Sequence, residues 1–235
     1  MDSSFSGMPP EAFDFLQQLE VNNNRTWFQA HKQVFLEKVR APMERLVECI
    51  SSALLEFAVD YATPVKSAIY RIYRDTRFSE DKTPYKTNVG ALFFHAGLGS
   101  KSAAAFYLEI STQHLGLAGG IYMPTPEYLR AIRLHLLEHH RRFAGLVRHP
   151  GLRKAMGSLQ GTQLKRPPQG FPADHPATEW IRYKQWYFWQ ELDPKLAGSS
   201  SAVKGIVSRF RLMAEVVEFL NEPLLQRKRK NPDFE

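Results

Sequence analysis

Four consecutive segments in the middle of the chain, residues 68–73, Val89–Phe94, Ala105–Ile110 and residues 115–122, are predicted strands, and no helical pattern separates them. The first three are rich in β-branched and aromatic residues, which favour strands. The fourth contains Gly116, Gly119 and Gly120, which weaken a strand but suit a bulge or a close approach of a ligand to the backbone. Strands that follow one another without a helical crossover pair antiparallel, because a parallel connection must carry the chain back to the same end of the sheet. The chain is therefore predicted to contain an antiparallel meander.

Helical periodicity flanks this β-rich middle on both sides. Apolar spacing and end signals predict a helix from Pro10 to the asparagine run 22–24, a second capped by Asn24, a third from Pro42, a fourth over residues 126–142 and a last over about 200–221. Residues 183–189 are predicted as a further strand. We expect an α+β fold, an antiparallel sheet of four to six strands with helices packed on one face. Residues 1–225 would form a single domain, followed by a basic tail, 226–235.

Composition and charge narrow the class of protein. The net charge is +7, and the four basic residues 227–230 leave only +3 for the rest of the chain, so global charge gives weak support to nucleic-acid binding. The chain has one cysteine, Cys49, no run of 18 apolar residues and no pattern of a secretory signal. We expect a soluble cytoplasmic protein that does not bind a membrane.

The densest polar cluster lies between the first two predicted strands. Three arginines within seven residues suit the gripping of phosphate or carboxylate, because each guanidinium presents paired donors. The cluster predicts an anion site, and the alternative is a solvated charged hairpin neutralised by its own carboxylates. Its members are Arg71, Arg74, Asp75, Arg77, Asp81, Lys82, Tyr85, Lys86 and Asn88.

Two further clusters are candidates for the same site. Asn23, Arg25 and His31 surround the start of the second predicted helix, where unpaired N–H groups favour an anion. The alternative there is helix capping with Trp27 in the core. The third cluster, Lys165, Arg166 and His175, lies in a proline-rich loop that suits either a binding loop or a rigid surface crossover.

Four blocks of the sequence resemble a known family. The chain contains NNNRTWFQAHK, RIYRDTRFSEDKTPYKTN, GLAGGIYMPTPEYLRAIR and LKRPPQGFPADHP. These blocks are similar to those of the conserved hypothetical proteins catalogued as domain of unknown function 2461, and the resemblance extends from about residue 13 to 220. It implies no particular reaction. The motif positions that it implies are Asn23, Arg25, Arg74, Asp75, Arg77, Phe78, Asp81, Lys82, Tyr85, Lys86 and Asn88.

The sequence favours recognition of a phosphate-bearing or other anionic small molecule in a basic cleft. Arg74, Arg77 and Lys86 would form the charge clamp, and the catalytic candidates are Asp75, Asp81 and His31. Carboxylates so close to arginines should have lowered pKa values, which suits ion pairing better than proton transfer. Whether the protein is an enzyme, which cofactor it uses and its oligomeric state stay open.

Two alternatives from other classes remain. A nucleic-acid-binding module would stack bases on Trp27, Tyr85 or Phe171, and a structural or partner-binding protein would use its basic motif in internal salt bridges. The pattern HLLEH at residues 135–139 matches a zinc-protease motif, but the sequence offers no obvious third ligand. No metal site is predicted.

Overall fold

The sheet is a four-stranded antiparallel meander. The computed structural model describes residues 5–77, 80–100 and 102–230. Its strands are β1 (Val89–Phe94), β2 (Ala105–Ile110), β3 (Leu115–Ile121) and β4 (Trp186–Leu192), in the order β1-β2-β3-β4. The α+β class and the antiparallel sheet predicted from the sequence are confirmed. The last strand begins three residues later than predicted and extends to Leu192.

Helices precede the sheet, connect β3 to β4 and end the chain. They are α1 (Pro10–Val21), α2 (Arg25–Ala30), α3 (Lys32–Val34), α4 (Ala41–Leu54), α5 (Val65–Ala68), α6 (Pro126–Val147), α7 (Pro150–Met156), α8 (Thr178–Ile181) and α9 (Ala202–Lys230). A π-helical segment, Phe35–Arg40, joins α3 to α4, and short 3-10 turns lie at Val59–Tyr61 and Pro194–Leu196. The predicted cap is present, because the Asn24 side chain accepts a hydrogen bond from Trp27 N at 2.9 Å.

One face of the sheet carries the core. Alternation along the strands points Phe93, Phe106 and Leu117 to the same side, and all three are fully buried. Helix α9 lies against this face, with the Phe210 ring 5.0 Å from that of Phe106. At Gly119 a Cβ atom would stand 2.7 Å from Met213 Sδ, so the absence of a side chain lets α9 approach β3 closely. The glycines of β3 were expected to permit a bulge or a close ligand, and this one accommodates a helix.

The opposite face, which we call the open face, has a different composition. Its central strand contributes only Gly116, Ala118 and Gly120, while β2 contributes Tyr107 and Glu109. From β4 come Tyr187, Trp189 and Glu191. Large polar and aromatic side chains on the second and fourth strands therefore meet across a strand that has almost none.

Residues 68–73, predicted as a strand, do not form one. Ala68 ends α5, and the following residues make only isolated bridges, Ile69 with Ala91 and Tyr73 with Tyr85. The buried positions are Ile69 and Ile72, three residues apart, whereas a strand buries alternate residues. The β-rich composition was correct for an extended segment beside β1, but the burial pattern does not repeat every two residues.

Helix α9 is longer than predicted. It continues past residue 221 through Pro223 to Lys230, with Leu224 fully buried. The first part of the basic segment 226–235 is thus helical, and residues 231–235 lie outside the described part of the chain. Among the described residues, no helix combines the length and the apolar character that crossing a bilayer demands.

Candidate ligand-binding cleft on the open face

A short antiparallel pairing brings two of the predicted basic residues together. Arg74 N donates to Pro84 O at 2.9 Å and Lys86 N donates to Ile72 O at 2.8 Å, which closes the loop between them. The chain then enters β1 at Val89. A cleft of about 330 Å³ opens at this junction, lined by Arg74, Lys86, Thr87, Asn88 and Tyr107. Three of the predicted ligand-binding residues thus line one cleft.

Among the described residues, two cations without an ion pair lie at the cleft: Lys86 belongs to its lining, and Arg71 is close enough for its charge to act on Lys86. Burial lowers the pKa of the Lys86 ammonium below its usual range, and the charge of Arg71 lowers it further. The Nζ atom lies 5.0 Å from the centre of the Tyr70 ring. Within the described residues, neither the ammonium of Lys86 nor the guanidinium of Arg71 has a carboxylate partner within 4.0 Å. Two neighbouring positive charges without a partner favour the entry of an anion.

A carboxylate beside the cleft is already fully engaged. Glu109 Oε2 accepts from the Tyr107 hydroxyl at 2.7 Å and from Asn88 Nδ2 at 3.1 Å, while Oε1 lies 2.9 Å from His114 Nε2. The Glu109 side chain is only 16% exposed, so these contacts replace water. Burial and then the charge of Glu109 raise the pKa of Tyr107, which keeps its hydroxyl protonated. This network fixes Tyr107 and Asn88, which both line the cleft.

A row of aromatic rings continues from the cleft across the open face. The Tyr70 and Tyr107 rings lie 6.1 Å apart, and the Tyr107 and Trp189 rings lie 6.5 Å apart at an angle of 27°. Tyr107 and Trp189 are both register partners of Ala118 on β3. At Gly116 a Cβ atom would stand 2.2 Å from Trp189 Cη2, so the indole occupies the space that the glycine leaves.

The acidic residues of the loop form ion pairs. Arg77 donates to both oxygens of Asp75, at 3.0 and 2.7 Å, and is itself 76% exposed. These hydrogen bonds lower the pKa of Asp75 to about 2. Arg74 contacts Asp81 and Thr83, and backbone and side-chain hydrogen bonds from Thr83 lower the pKa of Asp81.

The loop's charges therefore divide between two roles. Arg77 lies on the outside of the loop with Asp75 rather than in the cleft, and Lys82 donates to Thr76 O at 2.9 Å. The two catalytic candidates in this loop are ion-pair partners with lowered pKa values, which makes them poor proton acceptors at neutral pH.

The second predicted cluster, around the start of α2, contacts the loop that carries Lys86. The Asn23 side chain exchanges two hydrogen bonds with the backbone of Tyr85, at 3.0 and 3.1 Å. The Tyr85 ring is buried and stacks on Phe28 at 4.1 Å. His31 stacks on Trp27 at 4.1 Å and its Nδ1 lies 2.8 Å from Trp27 O. Arg25 is exposed. These residues position the loop, and Tyr85 has no free face for a base.

The proline-rich loop contacts α6 and does not line the cleft. His175 Nδ1 accepts from Ala177 N at 3.1 Å, and its ring lies 5.0 Å from that of His140 on α6. Lys165 and Arg166 are exposed, and the cleft is lined by other residues. Phe171, a predicted stacking residue, packs against the core. In the described part of the chain, no three His, Cys, Asp or Glu residues are placed to hold a metal ion.

Sequence reasoning missed the residues that the sheet register supplies. These residues carry no local motif, and Tyr70 and Trp189 are far in sequence from the other three, Tyr107, Glu109 and His114. One signal was available: Tyr107 and Glu109 alternate with Phe106 and Leu108, so they face away from the core. The register that joins them to Trp189 could not be read from the chain alone.

Comparison with known proteins gives one match. The family model described as "Conserved hypothetical protein (DUF2461)" matches residues 11–219, which include every residue of the cleft. No curated protein and no solved structure matches the chain.

Proposed function

The chain belongs to the conserved hypothetical protein family DUF2461, and from the chemistry of its cleft we propose that it binds a small anionic ligand bearing a phosphate group. The observation that carries this proposal is the pair of cations, Lys86 and Arg71, which have no carboxylate partner among the described residues. Arg74 lines the same cleft, and its guanidinium, of which Nη1 contacts Asp81 and Thr83, adds further N–H donors. The location we expect is the cytoplasm.

Electrostatics favour an anion over a neutral ligand. The charge of Glu109 partly offsets the lowering of the Lys86 pKa, but this carboxylate is occupied by three hydrogen-bonding groups and forms no ion pair with Lys86. Desolvation penalises the charged form of Lys86, and a bound phosphate would relieve that penalty by supplying the missing negative charge. The guanidinium groups of Arg71 and Arg74 suit phosphate because each can donate two parallel hydrogen bonds.

The nucleic-acid and structural alternatives have less support. The aromatic residues expected to stack bases, Tyr85 and Trp27, stack instead on Phe28 and His31. A protein that used its basic motif only for internal salt bridges would pair all its arginines and lysines, whereas Arg71 and Lys86 are without such a partner among the described residues.

The test is a thermal-shift and calorimetric titration with inorganic phosphate. A ligand that binds only the folded state stabilises it by about 2.7 kcal/mol at 100 times its Kd. Lys86→Met keeps the length of the side chain and removes the charge, so it should weaken phosphate binding by about tenfold or more. The matched control is Lys66→Met, at an exposed lysine on α5. Equal phosphate affinity in the two variants, or no phosphate-dependent stabilisation of the wild type, would refute the proposal.

A further inference from the structure

Tyr107, which lines the proposed phosphate-binding cleft, forms an aromatic pair with Trp189, whose indole lies beyond the lining residues. The two rings are nearly parallel, and they come from strands on either side of β3, whose open face bears only Gly116, Ala118 and Gly120. Both side chains are half-buried, so each keeps some surface exposed to solvent. Neither residue belongs to the core cluster against α9.

Hydrogen bonds and contacts hold both rings in place before any ligand arrives. The Tyr107 hydroxyl donates to Glu109, and it lies where a Cβ at Gly90 would stand 2.8 Å away. Trp189 Nε1 donates to Glu191 Oε1 at 3.2 Å, and the edge of His114 packs 5.9 Å from the indole. Rings that are fixed in the free protein lose little entropy when a ligand stacks on them.

Tyr107 connects the rings to the cations. It lines the cleft together with Lys86, and its ring lies 6.1 Å from Tyr70, above which the Lys86 ammonium sits at 5.0 Å. A single small molecule can therefore contact a positive charge and an aromatic ring at once. The cleft volume of about 330 Å³ is at the lower end of the roughly 300–1,000 Å³ of small-molecule sites, which suits a compact ligand.

We infer that the phosphate-bearing ligand also carries a planar ring that stacks on Tyr107 and Trp189, which makes the ligand class a nucleoside monophosphate or a phosphorylated ring of similar size. This inference rests on the proposed function. The phosphate lies at Lys86, Arg71 and Arg74, and the planar ring lies on the aromatic pair. Asn88 donates its amide to Glu109, and within the described residues its carbonyl oxygen has no partner, so that oxygen accepts from a ligand hydroxyl or amine.

The experiment compares three probes by calorimetry: inorganic phosphate, ribose 5-phosphate and adenosine 5′-monophosphate. Stacking on an aromatic side chain strengthens binding by about 5- to 150-fold per base, so the nucleotide should bind at least about five times more tightly than ribose 5-phosphate. Trp189→Leu should reduce this advantage, because only the Tyr107 ring remains for stacking, while binding of ribose 5-phosphate should still depend on Lys86. Trp189→Phe, which keeps a ring, should restore most of the advantage. Melting temperatures of both variants check that they fold.

The outcomes separate the two proposals. Lys86-dependent binding of ribose 5-phosphate, with no gain for the nucleotide, would refute the ring inference and leave the anion site standing. No binding of any of the three probes would refute the anion site itself. An advantage for the nucleotide that is undiminished in a folded Trp189→Leu variant would also refute the ring inference. A short oligothymidylate that binds more tightly than the mononucleotide would overturn the assignment to a small molecule.

Discussion

The side-chain amide of Asn23 pairs with both backbone groups of Tyr85, 62 residues further along the chain: Nδ2 donates to Tyr85 O at 3.0 Å and Oδ1 accepts from Tyr85 N at 3.1 Å. Asn23→Ala removes both hydrogen bonds and leaves a partly buried peptide unit without partners. We expect the free energy of unfolding to fall by about 1–3 kcal/mol, measured by urea denaturation. Phosphate affinity should fall too, because Lys86 follows Tyr85 directly.

The matched control is Asn22→Ala. Asn22 donates only to Gln18 O, within the last turn of α1. Its loss should change the free energy of unfolding by less than about 0.5 kcal/mol. Equal losses in the two variants would show that the pairing with Tyr85 contributes nothing beyond local helix capping.

Phosphate binding should depend on pH through Lys86. Burial and Arg71 lower the pKa of this ammonium, so the charged form is disfavoured in the free protein. Bound phosphate favours the charged form and raises that pKa, so binding takes up a proton in the interval between the two values. Affinity should therefore decline as pH rises through the free-state pKa of Lys86. Phosphate titrations at increasing pH above neutrality would measure this, and a decline that persists in Lys86→Met would assign it to another group.

Gly116 should be required only while Trp189 is present. A Cβ at residue 116 would stand 2.2 Å from the indole, so Gly116→Ala must displace the ring and lower stability. In a Trp189→Leu background the clash is absent, and the same substitution should cost less. Urea denaturation of the two single variants and the double variant gives the coupling energy. A coupling energy near zero would mean that the cost of Gly116→Ala does not come from a clash with the indole of Trp189.

Helix α6 should make the protein less stable in mild acid. His135 is 7% exposed, and its Nε2 lies 3.1 Å from Glu222 Oε2. Burial, and then the neighbouring His139, lower the pKa of His135 from 6.5 despite the opposing effect of Glu222. The unfolded chain then binds the proton more readily than the folded one, so the free energy of unfolding falls as pH drops below about 6.5.

The variant that tests this is His135→Gln. Its unfolding free energy, taken relative to its own value at about pH 8, should vary less with pH between about 5 and 7 than that of the wild type. His139→Gln is the comparison, because His139 is 48% exposed. If the unfolding free energy varies less with pH in His139→Gln than in His135→Gln, the acid sensitivity comes from His139 and the prediction for His135 is wrong.

The basic end of α9 should contribute little to stability. Lys228 and Arg229 are exposed, whereas Leu224 is fully buried. A chain that ends after Arg227 should keep its melting temperature within about 2 °C, while one that ends after Pro223 should lose several degrees because it also lacks Leu224. Thermal unfolding of the two truncations gives the comparison, and a large loss in the longer one would indicate that the last helical turn is part of the core.

The fold was predictable where local signals and burial agree. The cap at Asn24 and the meander of β1 to β3 follow from residues close in sequence. The prediction of a strand at residues 68–73 was wrong because composition indicates an extended segment but does not show which side chains are buried. Ile69 directly follows α5 and bridges Ala91 of β1, a contact that no local pattern records.

Only the residues of the candidate site that lie in the basic loop could be predicted from the sequence. Arg74, Lys86 and Asn88 lie close together in sequence, so their density was visible. Glu109 and Trp189 become neighbours of the cleft only through the register of β2, β3 and β4. The sequence also could not separate Lys86, which has no carboxylate partner among the described residues, from Arg77, which pairs with Asp75.

The two faces of the inner strand β3 make different packing contacts. Gly119 on one side admits Met213 of α9, and Gly116 on the other side admits Trp189. Exchanges at positions 107 and 189 would therefore change the open face without touching the side chains that hold α9. Under the proposed function, those two positions are where redesign of ligand selectivity should begin.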